Sequence, residues 1–243
     1  MFSPLEQFKI VVIVPLNFFG YDISFTNATI YLSLVLWFLF LIMKKGTEAG
    51  KIIPDPMQRV AELMYMFINN LVKQQAGIKS LKYFPVFFLL FYLILFLNLI
   101  GLTPYGFTCT SQMSYTFLLG FGMFIGIVII GIVVQKAKFI NQFIPATTGP
   151  IVPLLIVIEI FSYFIRPFSL SIRLFANMLA GHTLLHILAS FGMSMLKMDI
   201  LVAFLMAFPI IAICVLEFGI AFLQAYVFVV LLCIYLKESN YGH

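Results

Sequence analysis

The chain has 243 residues, of which 63% are hydrophobic and 9% charged, with a mean hydropathy of +1.12 and a formal net charge of +5. A water-soluble domain carries roughly 45–50% apolar and about 25% charged residues, so this inventory excludes a soluble globular domain, a disordered tail and a small disulfide-stapled module. Apolar stretches longer than about 18 residues recur instead and read as membrane spans, and they are solid runs rather than the alternating strands of a transmembrane barrel.

Residues 1–22 form an N-terminal segment with a short apolar stretch broken by Pro15. It lacks the pattern of a cleaved signal or an Arg-rich transit sequence, so the chain is expected to insert as written. A first span covers 23–43, contains Tyr31 and Trp37, and stops at Lys44 and Lys45. From 55 to 75, Val60, Leu63, Met64, Phe67, Ile68, Leu71 and Val72 recur at helical spacing, with Arg59, Glu62, Asn70 and Lys73 between them. That pattern predicts an amphipathic helix lying in the membrane interface. Further spans are expected over 83–102 and 115–134; the second carries Gly120, Gly122, Gly126 and Gly131, a pattern that lets another helix approach closely.

The last third differs. Residues 151–190 and 200–236 are nearly continuous apolar sequence, each roughly 55–60 Å long as a helix against a hydrocarbon core of about 30 Å. Spans rarely tilt beyond about 40°, and no polar break supplies an exit to water. Pro167 and Pro209 can kink a helix but do not end one here. Two steeply inclined antiparallel helices, turning near Gly192 to Asp199 within a hairpin spanning 151–236, satisfy these constraints better than four upright spans. The expected fold is an all-α membrane protein in a single membrane domain: five crossing helices and one interfacial helix. An outer N-terminus puts Lys44, Lys45, Lys51, Arg59, Lys73, Lys79, Lys82, Lys136, Lys138 and Lys237, 10 of the 14 Lys and Arg, on the inner side.

Charges within membrane segments are costly and usually functional. The first long segment holds Glu159, Arg166, Arg173, His182 and His186; the second holds Glu217, with Gln224 seven residues later. At 100° per residue Glu159, Arg166, Arg173 and Asn177 stay near one face, and Glu217, Ala221 and Gln224 form a second short stripe. A turn near Lys197 sets residue i opposite about 394 − i, which brings Arg173 between Glu217 and Gln224 and leaves His182 about a turn from Glu217. The alternatives at this point are structural: Arg173 as a hairpin ion-pair member, Glu159 and Arg166 paired with each other, His186 as an interior or headgroup-level histidine. An arginine keeps its proton, so Arg173 is a fixed charge rather than a relay, whereas Glu and His titrate. His182 and His186 lack a third ligand at useful spacing, and the three cysteines (Cys109, Cys214, Cys233) read as core residues, so no metal and no cofactor is expected. There is no phosphate loop and no nucleophile with a base partner; no nucleic acid is expected as a ligand.

The run Ser169-Leu-Ser-Ile-Arg-Leu-Phe-Ala-Asn-Met-Leu-Ala-Gly-His182, with Asn98-Leu-Ile-Gly-Leu-Thr-Pro104 and the Glu217-to-Gln224 spacing, closely resembles subunit a of the F-type ATP synthases over nearly the whole chain. The resemblance implies a non-catalytic, proton-conducting stator subunit with two offset half-channels. These load and unload carboxylates on a rotating c-ring, and the two long helices curve along that ring. By it Arg173 matches the essential arginine that faces the ring and seals the half-channels from one another. Asn177, Gln224, Glu217 and His182 match polar positions of the proton path, and Glu159 matches the acidic residue of the inner half-channel. It implies as partners the c-ring, the peripheral stalk, other subunits of the synthase and the lipid bilayer, with protons as the transported ion. His182 and Glu217 stand in the mitochondrial-type arrangement, which implies an inner mitochondrial membrane with the N-terminus in the intermembrane space and the C-terminus in the matrix; an α-proteobacterial plasma membrane is the alternative. A secondary transporter and a purely structural subunit of a respiratory complex are the competing readings. The first wants repeats and a polar solute pocket, and the second has no use for Arg173. On a straight helix His182, nine residues after Arg173, points to the opposite side, which a bend or a wide channel is expected to reconcile.

Overall fold

The structure, a computed structural model, describes residues 8–18, 21–22, 24–48, 50–103, 106–136, 152–195 and 200–241. Among the described residues six helices carry the chain: α1 (Asn27–Glu48), α2 (Pro56–Ala76), α3 (Phe84–Gly101), α4 (Met113–Gln135), α5 (Val152–Met195) and α6 (Ile200–Tyr241). All but α2 contain a stretch long and apolar enough to cross a membrane. Ahead of α1 the chain forms short strands that the sequence pattern does not announce: β1 (Val12–Val14), β2 (Asn17–Phe18), β3 (Tyr21–Asp22) and β4 (Phe25–Thr26). β1 pairs antiparallel with β4, and β2 with β3, as two separate two-stranded sheets ahead of α1.

Helix α2 begins on Pro56, whose fixed φ and missing N–H suit a first turn. It ends at Gly77, where φ is 84°, a conformation that favours glycine. A 3-10 turn, Ile78–Tyr83, then leads into α3. The buried side of α2 is Ala61, Met64, Ile68, Leu71, Val72 and Ala76, while Val60, Leu63 and Phe67 join Arg59, Glu62 and Lys73 outside. Mixed apolar and charged exposure on one helix is what a membrane–water boundary accepts.

The core is built where α3 meets the second half of α6. Phe87, Phe91, Ile94 and Leu97 pack with Phe228, Val229, Leu232 and Leu236, and α1 and α2 close over them with Val35, Leu39, Ile68 and Val72. The outward faces carry Trp37, Phe40, Leu118, Ile129, Phe161 and Ile165 exposed. Apolar surface of that extent suits lipid rather than water. On α4 the buried stripe is Thr116, Gly120, Phe124, Ile127 and Gly131, at three- and four-residue steps. Gly120 lies against Ser171 of α5, whereas Gly122 and Gly126 face open space, so only part of the glycine-rich pattern makes a helix contact.

Helices α5 and α6 are 44 and 42 residues long and run unbroken through Pro167 and Pro209. At 1.5 Å per residue each is about 65 Å, twice the hydrocarbon thickness, so only a steep inclination accommodates them. They pack antiparallel: Gly192 faces Ile210, Gly181 meets Glu217, and Arg166 meets Glu238. Residues 196–199, on which the expected turn falls in part, lie outside the described residues. The register differs from the expected one. A turn at Lys197 puts Gly181 opposite about position 213, whereas it meets Glu217, one helical turn further along. Because α5 continues helical to Met195, the fold-back comes later than the polar residues alone indicate.

Candidate functional site

Along α6, Glu217, Ala221, Ala225, Phe228, Val229, Leu232 and Leu236 form one inward stripe. Glu217 therefore occupies a core-facing position one turn beyond the last apolar residue of that stripe. It is only 6% exposed, and neither carboxylate oxygen has a hydrogen-bond partner among the described residues. Space for it comes from Gly181 of α5: a Cβ at 181 would stand 2.7 Å from Glu217 Oε1 and 3.0 Å from Cδ. His182 follows directly, half-buried, with Nε2 enclosed and likewise unpartnered among the described residues. The hairpin thus sets a buried carboxyl group of one arm against Gly181 of the other, and an imidazole follows at the next residue. Buried polar groups are nearly always paired, and an unpaired carboxyl inside a membrane helix is a functional signal.

Asn98, fully buried on α3, borders this site. Its Nδ2 donates to the Ala221 carbonyl at 3.3 Å, one turn from Glu217, and its Oδ1 has no partner among the described residues. Sequence reading placed Asn98 only within a motif; the signal that singles it out is an amide inside the almost wholly apolar run 84–102.

Arg173 stands elsewhere. It lies at the midpoint of α5 and is exposed, on a face that also presents Ser169, Ala176 and Ala180. No hydrogen bond or ion pair joins it to a described residue. It does not sit between Glu217 and Gln224 as a member of an ion pair; the shifted register carries Glu217 to Gly181, two turns from Arg173. His182 and Arg173 do point apart, as nine residues along a continuous helix require: Arg173 is exposed, whereas His182 is half-buried and meets Phe8. Asn177 and Gln224 are half-buried, and neither is hydrogen-bonded among the described residues; Glu159 is partly exposed near the start of α5. His186 is exposed.

Arg166 does not pair with Glu159. Its Nη1 donates to Glu238 Oε2 at 2.7 Å, and its guanidinium lies 5.9 Å from the Tyr163 ring centre and 5.3 Å from that of Tyr235. Gln135 Nε2 donates to the carbonyls of Glu238 and Ser239 at 3.2 and 2.6 Å, and Asn240 Nδ2 donates to Ser80 Oγ at 2.9 Å. This polar knot fastens the end of α6 to α4, α5 and the 3-10 turn, at the opposite end of the bundle from His182.

Residues 25–237 match the family model described as ATP synthase A chain. The chain belongs to that family. Among curated relatives, "ATP synthase subunit a" of Acanthamoeba castellanii is 48% identical over 240 residues, covering 98% of this chain and 97% of that one. The protein of the same name from Parvibaculum lavamentivorans is 42% identical over 246 residues (99% and 95% covered), and that of Brassica napus 42% over 251 residues (98% and 95%). Similarity therefore extends over the whole described bundle, including both arms of the hairpin.

Proposed function

We propose that this chain is the proton-conducting stator subunit of an ATP synthase membrane sector, with the whole chain acting as one membrane domain against a ring of c subunits. The observation that carries the reading is the buried Glu217 against Gly181, without a hydrogen-bond partner among the described residues, in the same hairpin as an exposed mid-helix arginine that no described residue pairs. The two kinds of group divide the work. Glu217 and His182 titrate and form the uptake half-channel from the outer side, with Asn177 and Gln224 lining the way. Glu159, toward the inner end, serves release. Arg173 keeps its proton and acts as a fixed charge on the surface presented to the ring.

A ring carboxylate crosses lipid only when protonated, since a bare charge there is costly. When it reaches Arg173 the cation favours its ionised form, so the proton leaves on one side and another is taken up after passage. The small residues Ser169, Ala176 and Ala180 on the arginine face allow a partner helix close approach. Rotation of the ring couples this cycle to ATP chemistry on other chains. The relatives come from an amoeba, a plant and a bacterium. The His182 and Glu217 arrangement favours a mitochondrial inner membrane, N-terminus in the intermembrane space and C-terminus in the matrix, over a bacterial plasma membrane.

The test is Glu217→Gln in the assembled complex in vesicles. Proton-driven ATP synthesis is expected to fall at least about tenfold while the complex still assembles with its ring, the scale on which positioned proton-transfer groups act. Wild-type synthesis with Gln at 217 overturns the uptake role.

A further inference from the structure

The site just described has an outer mouth, and what lies over it comes from a part of the chain ahead of the 25–237 family match. The ring of Phe8 meets the His182 ring edge-on, with centroids 6.4 Å apart and planes at 78°. The Phe8 carbonyl accepts a hydrogen bond of 2.6 Å from Gln112 Nε2, and Gln112 is the residue that caps the start of α4. Three residues on, the same segment is tied to the first turn of α1. Asn27 Nδ2 donates to the Lys9 carbonyl at 3.2 Å, Asn27 Oδ1 accepts from Val11 N at 3.3 Å, and Asn27 N donates to the Val11 carbonyl at 3.1 Å. β1 then pairs with β4. Residues 8–14 are thus a strap pinned at α4 and at α1, with an aromatic ring laid on α5.

The strap does not rest on packed core throughout. Between its anchor points lies a cavity of about 160 Å³, lined by Ile10, Ala28, Leu32, Cys109, Gln112 and Tyr115 among others. Position along this stretch is therefore set by the hydrogen bonds to Gln112 and Asn27 and by the Phe8–His182 contact, rather than by side-chain packing beneath it. A T-shaped ring contact fixes the partner's ring plane as well as covering one edge of it.

We infer that Phe8, held by Gln112, is a positioning residue that covers His182 at the outer mouth of the proton path and fixes the orientation of its imidazole. The inference rests on the reading of His182 and Glu217 as the uptake side, which it deepens by assigning what sits over them. It requires the strap to be in place for His182 to keep one orientation, and it makes the approach to His182 narrower than the hairpin alone does.

The test is carbethoxylation of histidine by diethyl pyrocarbonate in the assembled complex in vesicles, with the rate at each histidine followed by peptide mass spectrometry. His186, exposed on the same helix, is the internal standard. Phe8→Ala is expected to speed modification of His182 about threefold to tenfold relative to His186, and Phe8→Tyr to return it to the wild-type rate. If Phe8→Ala fails to assemble, Gln112→Ala serves, since it cuts the tie and leaves the ring; it is expected to speed modification in the same direction. An unchanged relative rate at His182 in these variants overturns the inference. ATP synthesis measured in His182→Gln separates the two readings. Undiminished synthesis there removes the uptake role, whereas the modification rates of the Phe8 variants decide the cover independently.

Discussion

At position 181 a single hydrogen in place of a methyl decides where a carboxylate sits. The Glu217 side chain fills the space a Cβ would take, and the atoms in the way are its flexible end, Oε1, Cδ and Cγ. Gly181→Ala is therefore expected to move the carboxyl rather than to break the hairpin, because the side chain can swing at modest cost and alanine is the better helix former. Assembly should persist while proton-driven ATP synthesis falls several-fold. Gly219, two residues from Glu217, has nothing within 4 Å of the position its Cβ would take, and Gly219→Ala is expected to leave synthesis within about twofold of wild type. Equal effects at the two glycines would mean that the position of Glu217 does not matter to transport.

At the scale of elements, the hairpin is held near the end of α6 by a partly buried ion pair rather than by apolar packing alone. Arg166 and Glu238 are 35% and 26% exposed, shielded by Tyr163 and Tyr235, so their attraction is screened less than that of a surface pair. Arg166→Gln or Glu238→Gln is expected to cost about 1–3 kcal/mol, between the values for exposed and buried pairs, and to lower the thermal stability of the assembled complex. The exchange Arg166→Glu with Glu238→Arg should recover part of it; an exchange no better than the worse single variant would show that the pair does not act as a unit. This contact was illegible in the sequence because its partners are 72 residues apart and Glu238 lies past the end of the last apolar run. The long helices themselves were legible, since unbroken apolar runs leave few alternatives in a bilayer, and α2 announced itself by spacing. Their register was not: side-chain period says which face looks inward, but the point of fold-back depends on how far α5 stays helical, and Gly192 to Met195 carries no strong stop signal. The strap escaped for a related reason. Short strands tied by Asn27 and Gln112 follow no periodicity. In the site, Glu217 and His182 stood out as polar groups in apolar surroundings, whereas the role of Gly181 in making room depends on the packing of two helices and is written in neither alone.

For the whole molecule, the proposed function puts two half-channels in one bundle, and something must keep them from joining. His182, Glu217 and the strap belong to one end; Glu159, Arg166 and the polar knot at Glu238 belong to the other; Arg173 lies between them at the midpoint of α5. If Arg173 serves only to stabilise the hairpin, Lys should replace it well, although no described residue offers it an ion pair. If it must meet each ring carboxylate in turn, Lys should fail, because a flexible, strongly hydrated ammonium does not reproduce a planar guanidinium. Arg173→Lys is then expected to lose ATP synthesis by at least about a hundredfold, roughly 2.7 kcal/mol of lost charge stabilisation. Arg173→Ala should do more than stop synthesis. It removes the positive charge that protons cannot pass, so passive proton flux through the assembled membrane sector in vesicles should rise above that of the wild type. Full synthesis with Lys would end the gating role, and lost synthesis without leak in the Ala variant would leave Arg173 as the ring's electrostatic partner but assign the seal to the apolar surface around it.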